Sequence, residues 1–138
     1  MAATGVSCSD AAVTQFGDIK LGRLKARFVV YKIDGPQIVE DVLSMDGSFD
    51  DFLAALPEDD CRYCLYDMAF TTNDHRQTSK LVLISWSPDT ARVKSKMVYA
   101  GSKDALVRAF VGISVKVNAT DLSELTEEIV TDACKKFA

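Results

Sequence analysis

The spacing of apolar residues alternates along this chain between a helical period and a strand period, and the changes divide it into elements. Residues 1–8 are small and without pattern, so a mobile N-terminal arm is expected there. Ser9 then caps a helix through Asp10-Ala-Ala-Val-Thr-Gln-Phe, with Val13, Phe16 and Lys20-Leu21 marking its inward side and Gly22 its end. Residues 27–34 are rich in β-branched and aromatic side chains and read as a strand, Gly35-Pro36 as a turn, and 37–43 as the returning strand of a hairpin. Behind the cap Ser48, the apolar residues Phe49, Phe52, Leu53 and Leu56 have the spacing of a short helix over 49–56, which Pro57 stops. Residues 61–70 form the next strand, with Tyr63, Leu65, Asp67 and Ala69 on one side and Cys64, Tyr66, Met68 and Phe70 on the other. A polar hairpin loop over 71–78 follows, and 80–86 is so apolar that it should be a central strand covered on both faces. Pro88 breaks that strand ahead of a long helix. Residues 113–119 make a short alternating strand, and Ser123 with Glu127 opens a last helix that turns Leu125, Ile129 and Val130 inward and ends on Lys135-Lys136. This order predicts an α/β fold of the α+β type, a mixed sheet of about five strands between helices on both faces.

The long helix, within residues 85–112, is the element around which the rest is arranged. At about 100° per residue, Tyr99, Leu106 and Phe110 fall on one stripe, flanked by Val93, Ala100 and Val107, and give it a core face. The opposite side carries Lys94, Met97, Gly101, Ala105 and Arg108. Small residues admit the close approach of another backbone and methionine adapts to a partner, so this side reads as an interface, with another part of the protein or with a second molecule. Lys96 and Lys103 fall beside the core stripe. They must extend along the surface to reach water, or the helix must bend near Ala100-Gly101-Ser102.

Composition narrows the picture. The chain has 138 residues, 48% of them hydrophobic and 26% charged, which suits one soluble domain spanning 1–138, and no apolar run is long enough to cross a membrane. Its start has neither the charge nor the apolar block of a targeting peptide, so a cytoplasmic location is expected. The net charge is −4, unevenly spread. Residues 1–70 hold 6 basic and 12 acidic groups, whereas from Arg76 to Arg108 seven cations face only Asp89 and Asp104. That region suits an acidic protein surface or anionic headgroups. Nucleic acid is not expected, since the pI is near 4.9 and no basic run is interleaved with aromatics.

Enzyme chemistry finds no constellation. His75 is the only histidine and lies in the polar loop, and no glycine-rich phosphate loop occurs. Cys61 and Cys64 stand three apart in a strand and therefore face opposite ways, which disfavours a shared metal or a disulfide. With Cys8 and Cys134 they read as reduced thiols. Glu58-Asp59-Asp60 lacks the alternating ligands of a calcium loop and reads as a solvated turn. Neither catalysis, nor a metal, nor a cofactor is expected.

Three segments carry a resemblance that supplies what the pattern leaves open: L-P-E-D-D-C-R-Y-C-L-Y-D at 56–67, W-S-P-D-T-A-R-V-K-S-K-M-V-Y-A-G-S-K-D-A-L at 86–106, and T-G-V at 4–6. Through them the chain resembles the actin-depolymerising factor/cofilin family from end to end. The resemblance implies a single-domain ADF-homology fold and a monomer that binds actin, both monomeric and filamentous, with ADP-actin preferred, and that severs or depolymerises filaments. It implies that the long helix enters a cleft of actin, with Lys94, Lys96 and Met97 central, Ser102, Lys103 and Arg108 further along, and Thr4, Gly5 and Val6 from the arm. It implies a filament-only contact through Lys80 and Lys136. Thr4 occupies the place of a serine whose phosphorylation switches binding off in the family, and a phosphate there would set negative charge against an acidic partner. The family also binds phosphoinositide headgroups, for which Arg92, Lys94, Lys96 and Lys103 are the candidates.

Thr78 and Ala133 stand where basic residues are common in the family, and Val107 and Ala109 flank a single Arg108. The expectation is intact monomer binding with weaker filament binding and severing than in strongly basic relatives. The rival readings are a relative that sequesters monomers or binds filament sides without severing, a phosphoinositide-responsive module, and, more distantly, a redox protein using Cys61 and Cys64. The resemblance also makes the bend near 100–102 a concrete expectation, one that brings Lys96 and Lys103 to the actin side.

Overall fold

The structure, a computed structural model, describes residues 5–113 and 115–136. The elements run β1 (Ser7–Cys8), α1 (Asp10–Lys20), β2 (Phe28–Asp34), β3 (Gln37–Ser44), α2 (Phe49–Ala54), β4 (Arg62–Thr71), β5 (Gln77–Trp86), α3 (Val93–Ala109), β6 (Val115–Ala119), a 3-10 turn (Leu122–Glu124) and α4 (Glu127–Lys135). They build one mixed sheet of six strands in the order β1-β3-β2-β4-β5-β6. The β2–β3–β4–β5 pairings are antiparallel, while β1 joins β3 and β6 joins β5 in parallel.

Two cores lie on either side of this sheet. Under α1 and α3, Phe16, Val29, Tyr31, Tyr63, Leu65, Leu83, Tyr99, Leu106 and Phe110 pack together. Under α2 and α4, Phe28, Phe49, Phe52, Tyr66, Val82, Ile84, Trp86, Leu125 and Val130 form the other core. Alternation along β4 and β5 feeds both, since successive side chains leave a strand on opposite faces. Cys61 and Cys64 illustrate this: both are fully buried, one in each core, and neither forms a disulfide.

Local chemistry accounts for the element ends. Ser9 caps α1 by accepting from the Ala12 N–H at 3.1 Å. Ser48 and Asp51 form a reciprocal capping box at α2. Gly35 takes a φ of 59° in the β2–β3 turn, a left-handed value open to glycine, while the ring of Pro36 holds that residue's own φ negative.

Several expectations are corrected. The sheet has six strands rather than about five, because Ser7–Cys8 is part of it: the Ser7 N–H donates to Pro36 O and the Ser9 N–H to Ile38 O, both at 3.0 Å. The expected mobile arm therefore does not include residues 7–8. The polar loop over 71–78 is shorter, since β4 and β5 stay paired out to Thr71 and Gln77. His75 takes the left-handed position of that turn, with φ 65°. On α1 the inward residues are Ala12 and Phe16, whereas Val13 and Leu21 are 37% and 67% exposed. The expected eight-residue second helix stops at Ala54. The last helix begins at Glu127, capped by Thr126 rather than opened by Ser123, and it buries Val130 and Cys134 while Ile129 stays 40% exposed. The strand expected to be central, β5, is an interior strand covered on both faces and paired on both edges, with β4 and with β6.

Candidate functional site

α3 is held along its inner side and open along its outer side. Its N-terminus has no side-chain cap of its own. Instead, the loop after α2 grips the approach to the helix: Trp86 Nε1 donates to Pro57 O at 2.8 Å and Thr90 Oγ1 to Glu58 O at 2.6 Å. In the first turn, Ser95 Oγ donates to Asp60 Oδ1 at 2.6 Å. Asp60 also accepts from the Cys61 N–H at 2.8 Å and from Arg62 Nη1 at 2.9 Å, and Arg62 Nε reaches Asp41 at 3.1 Å.

Burial pushes the Asp60 carboxyl up, but the bonds from Ser95, Arg62 and the Cys61 amide outweigh it and hold the group below the ordinary carboxylate range. Asp60, expected to be solvated, is therefore the clasp of the long helix. Sequence reasoning had no signal for this, because Ser95 lies 35 residues away. A lowered folded-state pKa contributes stability above the ordinary carboxylate pKa and loses it as pH falls through the folded value. Asp60→Asn is accordingly expected to cost about 1 kcal/mol near neutral pH, with the two proteins converging in stability in acid, as pH falls through the folded-state value of Asp60. Urea midpoints at the two pH values check this, and a difference that persists in acid would count against it.

The middle of α3 is pinned by Tyr99. Its hydroxyl accepts from the Ile33 N–H at 2.9 Å, and its carbonyl accepts from the Tyr63 hydroxyl. At the C-terminal end Phe110 stacks on Phe16, with centroids 4.5 Å apart and planes 7° from parallel, and meets Tyr31 edge-on at 5.4 Å. Lys20 Nζ donates to Val111 O at 2.8 Å and ties α1 to the chain just beyond α3.

The outer side carries Val93 at 72% and Met97 at 68% exposure, with Lys94, Ala100, Asp104 and Arg108 also exposed. Met97 stands across the helix from Tyr99 and Leu106. Gly101 and Ala105 are half-buried along one edge. Val93 and Ala100, expected to flank the core, belong instead to the outer stripe, and the reason is rotational: Tyr99, Ser102, Leu106 and Phe110 define the buried line.

The candidate residues divide as follows. Lys94, Met97 and Arg108 share the open face. Gly5 and Val6 directly precede β1, which packs against α3; Gly5 is exposed with φ 77°, and Val6 is partly buried against the α1–α3 core. Thr4 lies outside the described residues. Lys96 and Lys103 extend along the β6 flank, where their amines donate to Asp89 O at 2.8 Å and Asn118 Oδ1 at 2.6 Å. Burial and the nearby Lys116 lower the Lys103 amine's pKa against the opposing pull of Asp104. α3 is helical without interruption through residues 100–102, and Lys96 and Lys103 reach the surface along its flank. Ser102 is not on the open face. It is 1% exposed, and its hydroxyl donates to Val98 O at 2.6 Å.

The filament candidates lie on the other side of the molecule. Lys80, half-buried on β5, pulls the Cys134 thiol of α4 against the upward push of burial, and Lys136 is exposed at the C-terminal cap of α4.

Among the described residues, the site shows no nucleophile paired with a base. It is a rigid helix with an apolar, cationic and sterically open face, an arrangement suited to binding.

Known proteins resemble this chain in sequence and in fold. A cofilin of Yarrowia lipolytica is 44% identical over 142 residues, covering 100% of this chain and 92% of its own. Actin-depolymerizing factor 2 of Arabidopsis thaliana is 47% identical over 125 residues, covering 90% of each. The crystal structure of Streptomyces griseoflavus cofilin superposes with a TM-score of 0.86 at 38% identity, covering 95% of this chain and 98% of that one. The family described as cofilin/tropomyosin-type actin-binding protein matches residues 5–135, and the chain belongs to that family.

Proposed function

We propose that this protein binds actin through the outer face of α3, with Gly5 and Val6 alongside, and promotes filament depolymerisation in the cytoplasmic actin cytoskeleton. The observation that carries this reading is Met97, 68% exposed in the second turn of a helix whose inner side is fixed at three levels. A large flexible apolar side chain held in water on a rigid element is a docking surface for a protein. The work is differential binding: a protein that favours one state of the filament shifts the population toward it.

Lys80 and Lys136 provide a second, smaller contact on the opposite side, which reaches actin only within a filament. Thr78 and Ala133 add no charge to it. Tight binding to monomeric ADP-actin with weaker filament binding than in basic relatives is expected, measured as monomer affinity against co-sedimentation with filaments. Tight filament binding that fragments filaments at low occupancy would overturn that ranking. A phosphate on Thr4 would weaken actin binding by setting negative charge against the partner.

A second use of the same helix, engagement of phosphoinositide headgroups, is favoured by one observation. Arg62, Lys96 and Lys103 line a cleft of about 280 Å³ beside α3, in which the Ser85 hydroxyl is buried without a hydrogen-bond partner. Competition between phosphoinositide vesicles and actin monomers tests it, and binding of both at once would exclude it.

A further inference from the structure

The amine of Lys103 is held by a different element from the one that carries it. Lys103 belongs to α3, but its Nζ donates to Oδ1 of Asn118 on β6 at 2.6 Å, and both residues line the cleft between α3 and the β5–β6 edge. The two ends of this bridge are fixed independently. On α3, one turn before Lys103, Tyr99 is bonded to the Ile33 N–H and to Tyr63. On β6, parallel pairing places Asn118 opposite Ser85 of β5, and the Ser87 N–H donates to Ala119 O at 2.9 Å. Alternation along β6 buries Val117 and Ala119 and turns Lys116 and Asn118 outward. A long, flexible cation is thereby set at one place between two anchored elements.

The acceptor is neutral, and the charges around it show why that matters. Lys103 takes part in none of the ion pairs among the described residues. Lys116 lies on the same strand as Asn118, Asp104 is the next residue of α3, and Lys96 and Arg62 stand on the walls of the cleft. Burial and Lys116 act against the charge of the Lys103 amine, and Asp104 supports it. A carboxylate at position 118 would pair with this amine and cancel its charge toward a partner. An amide oxygen orients it through one hydrogen bond and leaves the charge and the remaining N–H groups to the partner. An amine already in place also loses less side-chain freedom when the partner binds.

We infer that Asn118 is a positioning residue for actin binding, whose amide oxygen holds the Lys103 amine where it meets an acidic group of actin without neutralising it. This rests on the reading that Lys103 is an actin contact. Asn118 acts through Lys103 and not by a contact of its own.

Isothermal titration of the full chain against ADP-actin monomers, arranged as a double-mutant cycle, tests this. Asn118→Ala is expected to weaken binding about fivefold in the otherwise native chain, and by less than about 1.5-fold in a Lys103→Ala chain, which has no amine to position. Asn118→Gln keeps an amide acceptor and should bind within about twofold of the native chain. Asn118→Asp separates position from charge: it pairs with Lys103, so thermal stability holds or rises, yet affinity falls at least as far as in Asn118→Ala. A purely structural role would make affinity follow stability. Proton NMR supplies the signature of the bridge, since the two Hε protons of Lys103 differ in shift while the amine is held and merge in Asn118→Ala. Position 118 is exposed, so these variants should retain the native circular dichroism. An equal loss from Asn118→Ala in the Lys103→Ala chain would make Asn118 a contact or a support of the fold and overturn the proposal. Unchanged affinity of Asn118→Ala beside a weakened Lys103→Ala would overturn it too. Unchanged affinity of Lys103→Ala, with the Hε protons still merging in Asn118→Ala, would overturn it by removing Lys103 from the actin contact while the bridge itself stands.

Discussion

Phe110→Ala is expected to lower the free energy of unfolding by about 3–5 kcal/mol, a large share of the ~5–15 kcal/mol that domains of this size possess. Phe110 is 1% exposed and joins three elements at once: it ends α3, stacks on Phe16 of α1 and meets Tyr31 of β2 edge-on. Removing the ring deletes buried apolar area and leaves a cavity between two helices. Those helices are held apart by the sheet beneath them, so they close the gap only in part. Phe110→Leu keeps most of the volume and should cost less than half as much. Urea unfolding of the three proteins measures this. A loss under 1 kcal/mol for the alanine variant would mean that α1 settles onto α3, and that the rigidity assigned to the helix is absent.

The second large effect falls on binding. Lys94→Ala together with Lys96→Ala is expected to weaken affinity for ADP-actin monomers at least tenfold, about 1.4 kcal/mol, while leaving the fold intact. Lys94 points to solvent, and its removal disturbs nothing inside the protein. Lys96 gives up one hydrogen bond, to Asp89 O, which water can replace at an exposed position. The loss therefore reports the interaction with the partner and not the stability of α3. Isothermal titration against monomeric actin, with thermal unfolding as the control for folding, separates the two, and an unchanged affinity would remove the lysines from the contact.

The long helix and its two characters could be read from residue spacing alone, as could the Gly35-Pro36 hairpin, the caps at Ser9 and Ser48, and the opposite orientations of Cys61 and Cys64. What could not be read shares a physical cause. The buried line of α3 runs through Tyr99, Ser102, Leu106 and Phe110, which turns Val93 and Ala100 outward, and the spacing of a valine and an alanine gives too little contrast to show it. Ser102 looks like a surface residue until its hydroxyl is seen bonded to its own helix. Ser7–Cys8 is a strand through main-chain bonds, to which side-chain pattern is blind. The pairing of Thr71 with Gln77 extends a hairpin through polar side chains that resemble a loop. The Asp60–Ser95 clasp and the packing of β1 against α3 depend on chain distant in sequence, which only the fold brings together.

Amide hydrogen exchange of the protein with and without saturating monomeric ADP-actin tests the central claim most directly. Increased protection is expected along residues 93–108 and at Gly5–Cys8, with α2 and the start of α4 unchanged. Protection confined to α2 and α4, with α3 exchanging as it does in the free protein, would contradict it.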